Sequence, residues 1–141
     1  MSALSTLIRA NRWKIDEQRR QLGELERLAE RLREESVRLE QELTSEQQVA
    51  AASLEAGYSY PGYARELIER RRKLANSLAE VEGQMTTARE ALAEAFREMK
   101  RYEITAANRM KRERIAAERR QRIAQDEVAM QTFRRRAASS D

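Results

Sequence analysis

From Leu4 onward, apolar or small residues recur alternately three and four positions apart. With Ile8 set as position a of a heptad, the a positions are Ile8, Ile15, Leu22, Ala29, Ser36, Leu43 and Ala50, and the d positions are Leu4, Asn11, Gln18, Leu25, Leu32, Leu39, Glu46 and Ser53. The stretch from Leu22 to Leu43 is the most apolar. An apolar stripe with a mean period of 3.5 residues marks a helix that packs along one narrow face. A second such stripe has a at Leu78, Met85, Leu92, Met99 and Ala106, and d at Leu74, Val81, Ala88, Ala95 and Tyr102, with Leu67 extending it backwards. Small Ala88 and Ala95 alternate with Leu and Met, which suits close packing against the leucines of the first stripe.

Between the stripes lies Ala56-Gly57-Tyr58-Ser59-Tyr60-Pro61-Gly62-Tyr63, with the only proline and two of the four glycines. Gly57 is a natural helix terminator and Pro61 suits a first helical turn. The pattern therefore predicts an all-α fold: helix one over 3–55, a loop over 56–62, helix two over 63–136 and a disordered tail over 137–141. Two helices joined by a short loop lie antiparallel, so 1–136 forms a single antiparallel coiled-coil hairpin whose second helix is longer. The helices would be roughly 80 Å and 110 Å long, pairing the start of helix one with residues 111–114. A parallel dimer of unbroken helices could use the same heptads, but Pro61 and its neighbouring glycines speak against it. Beyond that level the stripe is thin: Ala116, Ile123, Met130 and Phe133, interrupted by Arg119 and Asp126, and out of phase with the preceding heptads. So polar a helix is weakly held alone; it frays or a partner completes it.

Composition narrows the class. Charged residues make up 37% of the 141 and aromatics 5%, too few large apolar groups for a layered core but enough for a seam. With no cysteine and no histidine, disulfides, zinc sites and Cys/His nucleophiles are excluded. No phosphate-cradling glycine loop occurs, and adjacent carboxylates such as Glu34 and Glu35 point apart on a helix. The expectation is a non-enzyme with no catalytic, cofactor-binding or metal-binding residues and no small-molecule ligand. No apolar run approaches the roughly 20 residues of a membrane span, and the N-terminus lacks a signal-peptide core, so the expected compartment is the cytoplasm.

The net charge of +4 is uneven: residues 1–108 carry 18 basic and 19 acidic side chains, residues 109–141 carry 10 and 5. The basic end includes Arg112, Arg114, Arg119, Arg120 and Arg122, candidates for meeting an acidic surface. Phe133 is the only aromatic nearby, so base stacking and specific nucleic-acid binding are not expected. Trp13, at an outward f position, is either an interface anchor or a ring lying across the neighbouring helix. Tyr58, Tyr60 and Tyr63 cap the coiled-coil end or form a recognition tip. The run Arg70-Arg71-Arg72-Lys73 reads as a solvated face. Asn11 and Asn108 fall at matching heights for a loop over 56–62; a buried polar pair would fix register, and simple fraying is the plainer reading.

The opening Leu7-Ile8-Arg9, followed by Trp13-Lys14-Ile15-Asp16-Glu17-Gln18-Arg19-Arg20, and the later Tyr63-Ala64-Arg65-Glu66-Leu67 after the mid-chain loop, resemble flagellar export proteins of the FliJ family. Length, basic character, layout and the arginine-rich end agree. The resemblance implies a component of the flagellar type III export apparatus that is cytoplasmic and peripherally associated with the inner membrane at the flagellar base. Such proteins resemble the central stalk of rotary ATPases. They insert into the hexameric export ATPase, contact the membrane export-gate protein and escort export chaperones. The resemblance places the gate contact near the hairpin, on Tyr63 and Leu67 of helix two and Leu39 and Leu43 of helix one; the tyrosines some relatives carry late in helix one are absent here, where the chain has Leu43, Gln47 and Val49. The basic end would lead into the ATPase ring. A generic coiled-coil scaffold, a nonspecific nucleic-acid binder and the equivalent injectisome stalk protein are the other readings.

Overall fold

The computed structural model describes residues 2–140 and contains two helices, α1 (Ala3–Ala52) and α2 (Leu54–Ser139). The expected all-α hairpin with the longer second helix is what forms. Ser2 caps α1, its Oγ accepting the Ser5 N–H at 3.2 Å, which satisfies a donor the first helical turn leaves free.

The turn differs from its expected place. The helical pattern breaks at Ser53 alone, and residues 56–62, expected as the loop, are helical within α2, Pro61 included. Helix one thus ends at Ala52 rather than 55, and helix two begins at Leu54 rather than Tyr63. Ser53 supplies the reason. Its Oγ lies 3.5 Å from the Ala56 N–H, the arrangement of an N-cap, and Glu55 lies in the first turn of α2, where the helix dipole favours a carboxylate. A capping serine outranks a glycine here, because Gly57 keeps a negative φ and its N–H donates to the Ser53 carbonyl at 3.0 Å in the helical i→i−4 pattern. Residues 137–139, expected as disordered, continue α2, and Ser140 is a turn. Asp141, the last residue of the expected tail, lies outside the described residues.

The chain separates into two units. The larger, Asn11–Phe96, contains the turn and both arms of the hairpin. Its core is a seam. Ala29, Val81 and Met85 are buried together, with Leu22, Leu25, Leu28, Leu32 and Leu78 packed around them. Ala29 and Ala95 are completely covered, since a methyl side chain lets the facing helix come close. Towards the turn, Leu39 and Leu67 are buried as well. Among the described residues no large side chain is fully buried, as a two-helix seam dictates: each knob has only one facing helix. Partners across the seam run in opposite directions. Asn11 Nδ2 donates to the Ala95 carbonyl at 2.8 Å, Arg33 reaches Glu82 at 3.2 Å, and the Tyr63 hydroxyl donates to Glu42.

The Asn11 bond corrects the sequence reading of this residue. Asn11 does not fray; it is 5% exposed and held by a backbone carbonyl, while Asn108 is exposed. A turn at Ser53 rather than near residue 59 shifts the partner of every α1 residue by about three and a half turns of helix towards the tip, which replaces Asn108 with Ala95.

The smaller unit joins the stretch ending at Ala10 to the stretch beginning at Arg97. Met99 is buried in it, and Leu4, Ile8, Tyr102 and Ala106 are half-buried. From Ala107 to Ser140 every residue is exposed.

Candidate functional site

Two surfaces carry the candidate residues. The first is the exposed end of α2. Arg112, Arg114, Arg119, Arg120 and Arg122 are all exposed on regular helix, and none makes an ion pair with another described residue. At roughly 100° per residue, Arg112, Arg119 and Arg122 fall on one side, whereas Arg114 and Arg120 fall on others. The positive charge therefore wraps the helix as a sleeve instead of forming a flat patch. Interleaved with it are exposed Met110, Ile115, Ile123, Val128 and Met130, and Phe133 at 73% exposure. The expected stripe of Ala116, Ile123, Met130 and Phe133 thus has nothing against it in this chain.

The second surface lies near the turn. The Tyr63–Glu42 bond fixes the register there, so residues 63–67 face residues 39–43, and the structure brings Leu39, Leu43, Tyr63 and Leu67 to one stretch of the hairpin. It does not turn all four outward. Leu67 is 3% exposed and Leu39 is likewise buried, both holding the seam; Leu43 and Tyr63 are half-buried and show an edge. The apolar groups that do face outward at this end are Leu54, Tyr58 and Ile68, with Val37 and Val49 on α1. The sequence reading passed over Leu54 and Ile68. Ile68 follows a d-position leucine directly, a signal that it sits at the rim of the seam.

Tyr63 has a shifted acidity. The hydrogen bond it donates to Glu42, then partial removal from water and the nearby charges of Glu42 and Glu46, push its pKa from 10.0 up to about 12, while Arg70 opposes the shift. A phenol that is harder to ionise in the folded chain stabilises the fold fully below its unfolded pKa and ceases to do so as pH rises through the folded value. The hairpin should therefore lose stability between pH 10 and about 12. Denaturant titrations monitored by circular dichroism across that window check this: the wild type should lose more than Tyr63→Phe, and equal losses would show that the bond is not formed.

Trp13, 69% exposed on the outer face of α1, remains available as an anchor. On α2, Phe96 is partly covered by Arg19, whose guanidinium lies 5.0 Å from the ring centre, a cation–π contact. Among the described residues no helix is long and apolar enough to cross a membrane.

A family model described as flagellar FliJ protein matches residues 1–138. The chain belongs to the flagellar FliJ family. As a FliJ-family protein it is a component of the flagellar protein export apparatus, in a family of non-enzymatic structural proteins. No curated protein and no solved structure matches it significantly. The FliJ match spans both arms of the hairpin and nearly all of the exposed end of α2, so the arginine sleeve belongs to the family region.

Proposed function

We propose that this chain serves as a rotary-ATPase-like central stalk of the flagellar export machinery, promoting assembly and activity of the hexameric export ATPase. In the same reading it contacts the membrane export-gate protein, escorts export chaperones and works in the cytoplasm at the inner-membrane face of the flagellar base. The observation that carries the reading is the exposed end of α2. A single helix with arginines on all sides can touch acidic loops of several subunits at once, which a one-sided patch cannot. The open apolar residues between those arginines give such a contact a desolvated centre. For the gate, the supporting feature is the rim made by Tyr63 and Leu43, with Leu39 and Leu67 fixing it from behind.

The test uses the full chain with Arg112, Arg114, Arg119, Arg120 and Arg122 all changed to Gln, mixed with the export ATPase. Exposed charge pairs each contribute a few tenths to about 1 kcal/mol, so five together predict at least about a tenfold loss in the apparent affinity for stimulating hydrolysis. Stimulation by the unmodified chain should fall as salt rises, because exposed charges are screened. Hydrolysis that is stimulated equally by both chains, at all salt concentrations, would remove the stalk contact from these residues.

A further inference from the structure

The heptad that begins at Ile8 does not stop at the turn. Steps of seven from Ala50 lead through Gly57, Ala64 and Arg71 to Leu78, the a position of α2; steps from Ser53 lead through Tyr60, Leu67 and Leu74 to Val81, its d position. The two arms therefore share one unbroken phase from Leu4 to Ala106. Gly57, Tyr60 and Ala64 are half-buried, and only Ser53 and Arg71 on this path are exposed. A hairpin does not require such agreement, because a turn lets each arm rotate independently; by chance the phases would agree in roughly one case in seven. An unbroken phase matters only if the arms are continuous, since one continuous helix with a left-handed supercoil then presents its whole seam to a partner.

We propose that two copies of this chain exchange arms: Ser53 enters the helix, α1 and α2 become one rod, and α1 of each copy packs on α2 of the other in the same antiparallel register. The turn is built for such opening. It holds no positive-φ residue, the Gly57 N–H already donates to the Ser53 carbonyl as a continuous helix demands, and Pro61 is already accommodated inside α2. What separates the arms is the Ser53 cap, one exposed side-chain contact to the Ala56 N–H. Exchange reproduces each seam contact between copies, including Asn11 to Ala95 and Ala29 against Val81 and Met85, so the balance rests on concentration and on the turn alone. A parallel pair is a poorer use of the same heptads. It stacks Ala29, Ala88 and Ala95 each on itself, leaving gaps, and it opposes Asn11 with Asn11.

The chain has no cysteine, so Gln41→Cys, at an exposed outward position, provides a single spin-label site in the full-length protein. Samples are melted and annealed at increasing concentration, then measured by light scattering and by pulsed electron–electron distance spectroscopy. The exchanged dimer should grow with concentration and place the two labels about 40 Å apart, from a rise of about 1.5 Å per residue on either side of the turn. Ser53→Ala, which removes the cap and favours helix at the one residue that breaks it, should raise the dimer fraction about tenfold. Two alanines inserted after Ser53 rotate the arms' stripes by about 200° in a straight helix; that variant should remain a helical monomer. Three results would overturn the proposal: a monomer at every concentration in the Ser53→Ala chain, a label separation short enough for parallel pairing, or a dimer indifferent to the insertion.

Discussion

Replacing Leu67 by alanine should lower the unfolding free energy by about 2–4 kcal/mol, the usual cost of deleting most of a buried leucine and leaving a cavity that collapses only partly. Leu67 is the best covered of the large seam residues near the turn. A two-helix seam has no third element to move in and fill the gap, so the loss should be concentrated in the Asn11–Phe96 unit. Urea unfolding followed by circular dichroism measures it. A loss below about 1 kcal/mol would mean that Leu67 faces water, and would return it to the candidate gate surface. The same result bears on any binding experiment with Leu39 or Leu67 variants, because weaker binding by an unfolded hairpin says nothing about contact. Tyr63 and Leu43, which keep an exposed edge, are the cleaner probes.

Ala95→Leu should cost a similar amount, about 2–4 kcal/mol, for a different reason. Ala95 is fully covered, and its carbonyl receives the Asn11 amide. Extra methyl groups at this point force the helices apart and pull the amide from its acceptor, leaving a buried polar group without a partner. Combining Ala95→Leu with Asn11→Ala should recover part of the loss, since the second change makes room and removes the stranded amide. Simple addition of the two single effects in a double-mutant cycle would show that the two residues do not act together.

The seam was legible in the sequence almost residue by residue. Each a and d position from Leu4 to Ala50, and from Leu74 to Ala106, is buried or half-buried, because a 3.5-residue period leaves a helix only one face to hide. The turn was less legible. Gly57 and Pro61 carry the strongest breaker signals, yet both lie inside α2, and the deciding residue is a serine whose cap can be recognised only once the helix after it is known to start early. The misplaced turn led to Asn108 as the partner for Asn11. At the candidate gate surface, pattern alone could not divide one role from another: Leu39 and Leu67 share the apolar character of an interface residue and the heptad position of a core residue, and burial assigns them to the core. The concentration of arginines at the end of the chain was legible in the sequence, whereas their spread around the helix needed the regular helix itself.

The antiparallel seam also sets an order of assembly. The chain separation of cross-helix partners grows with distance from Ser53: 21 residues for Glu42 and Tyr63, 49 for Arg33 and Glu82, 84 for Asn11 and Ala95. Closing the widest of these loops from an open coil costs only about 1.2 kcal/mol more than closing the narrowest, two doublings of length. Once the pair nearest the tip has met, each following heptad has only a short slack segment to take in. Such a hairpin zips from its tip, and of these three bonds the Asn11 amide finds its carbonyl last, a latch set deep along the zipper.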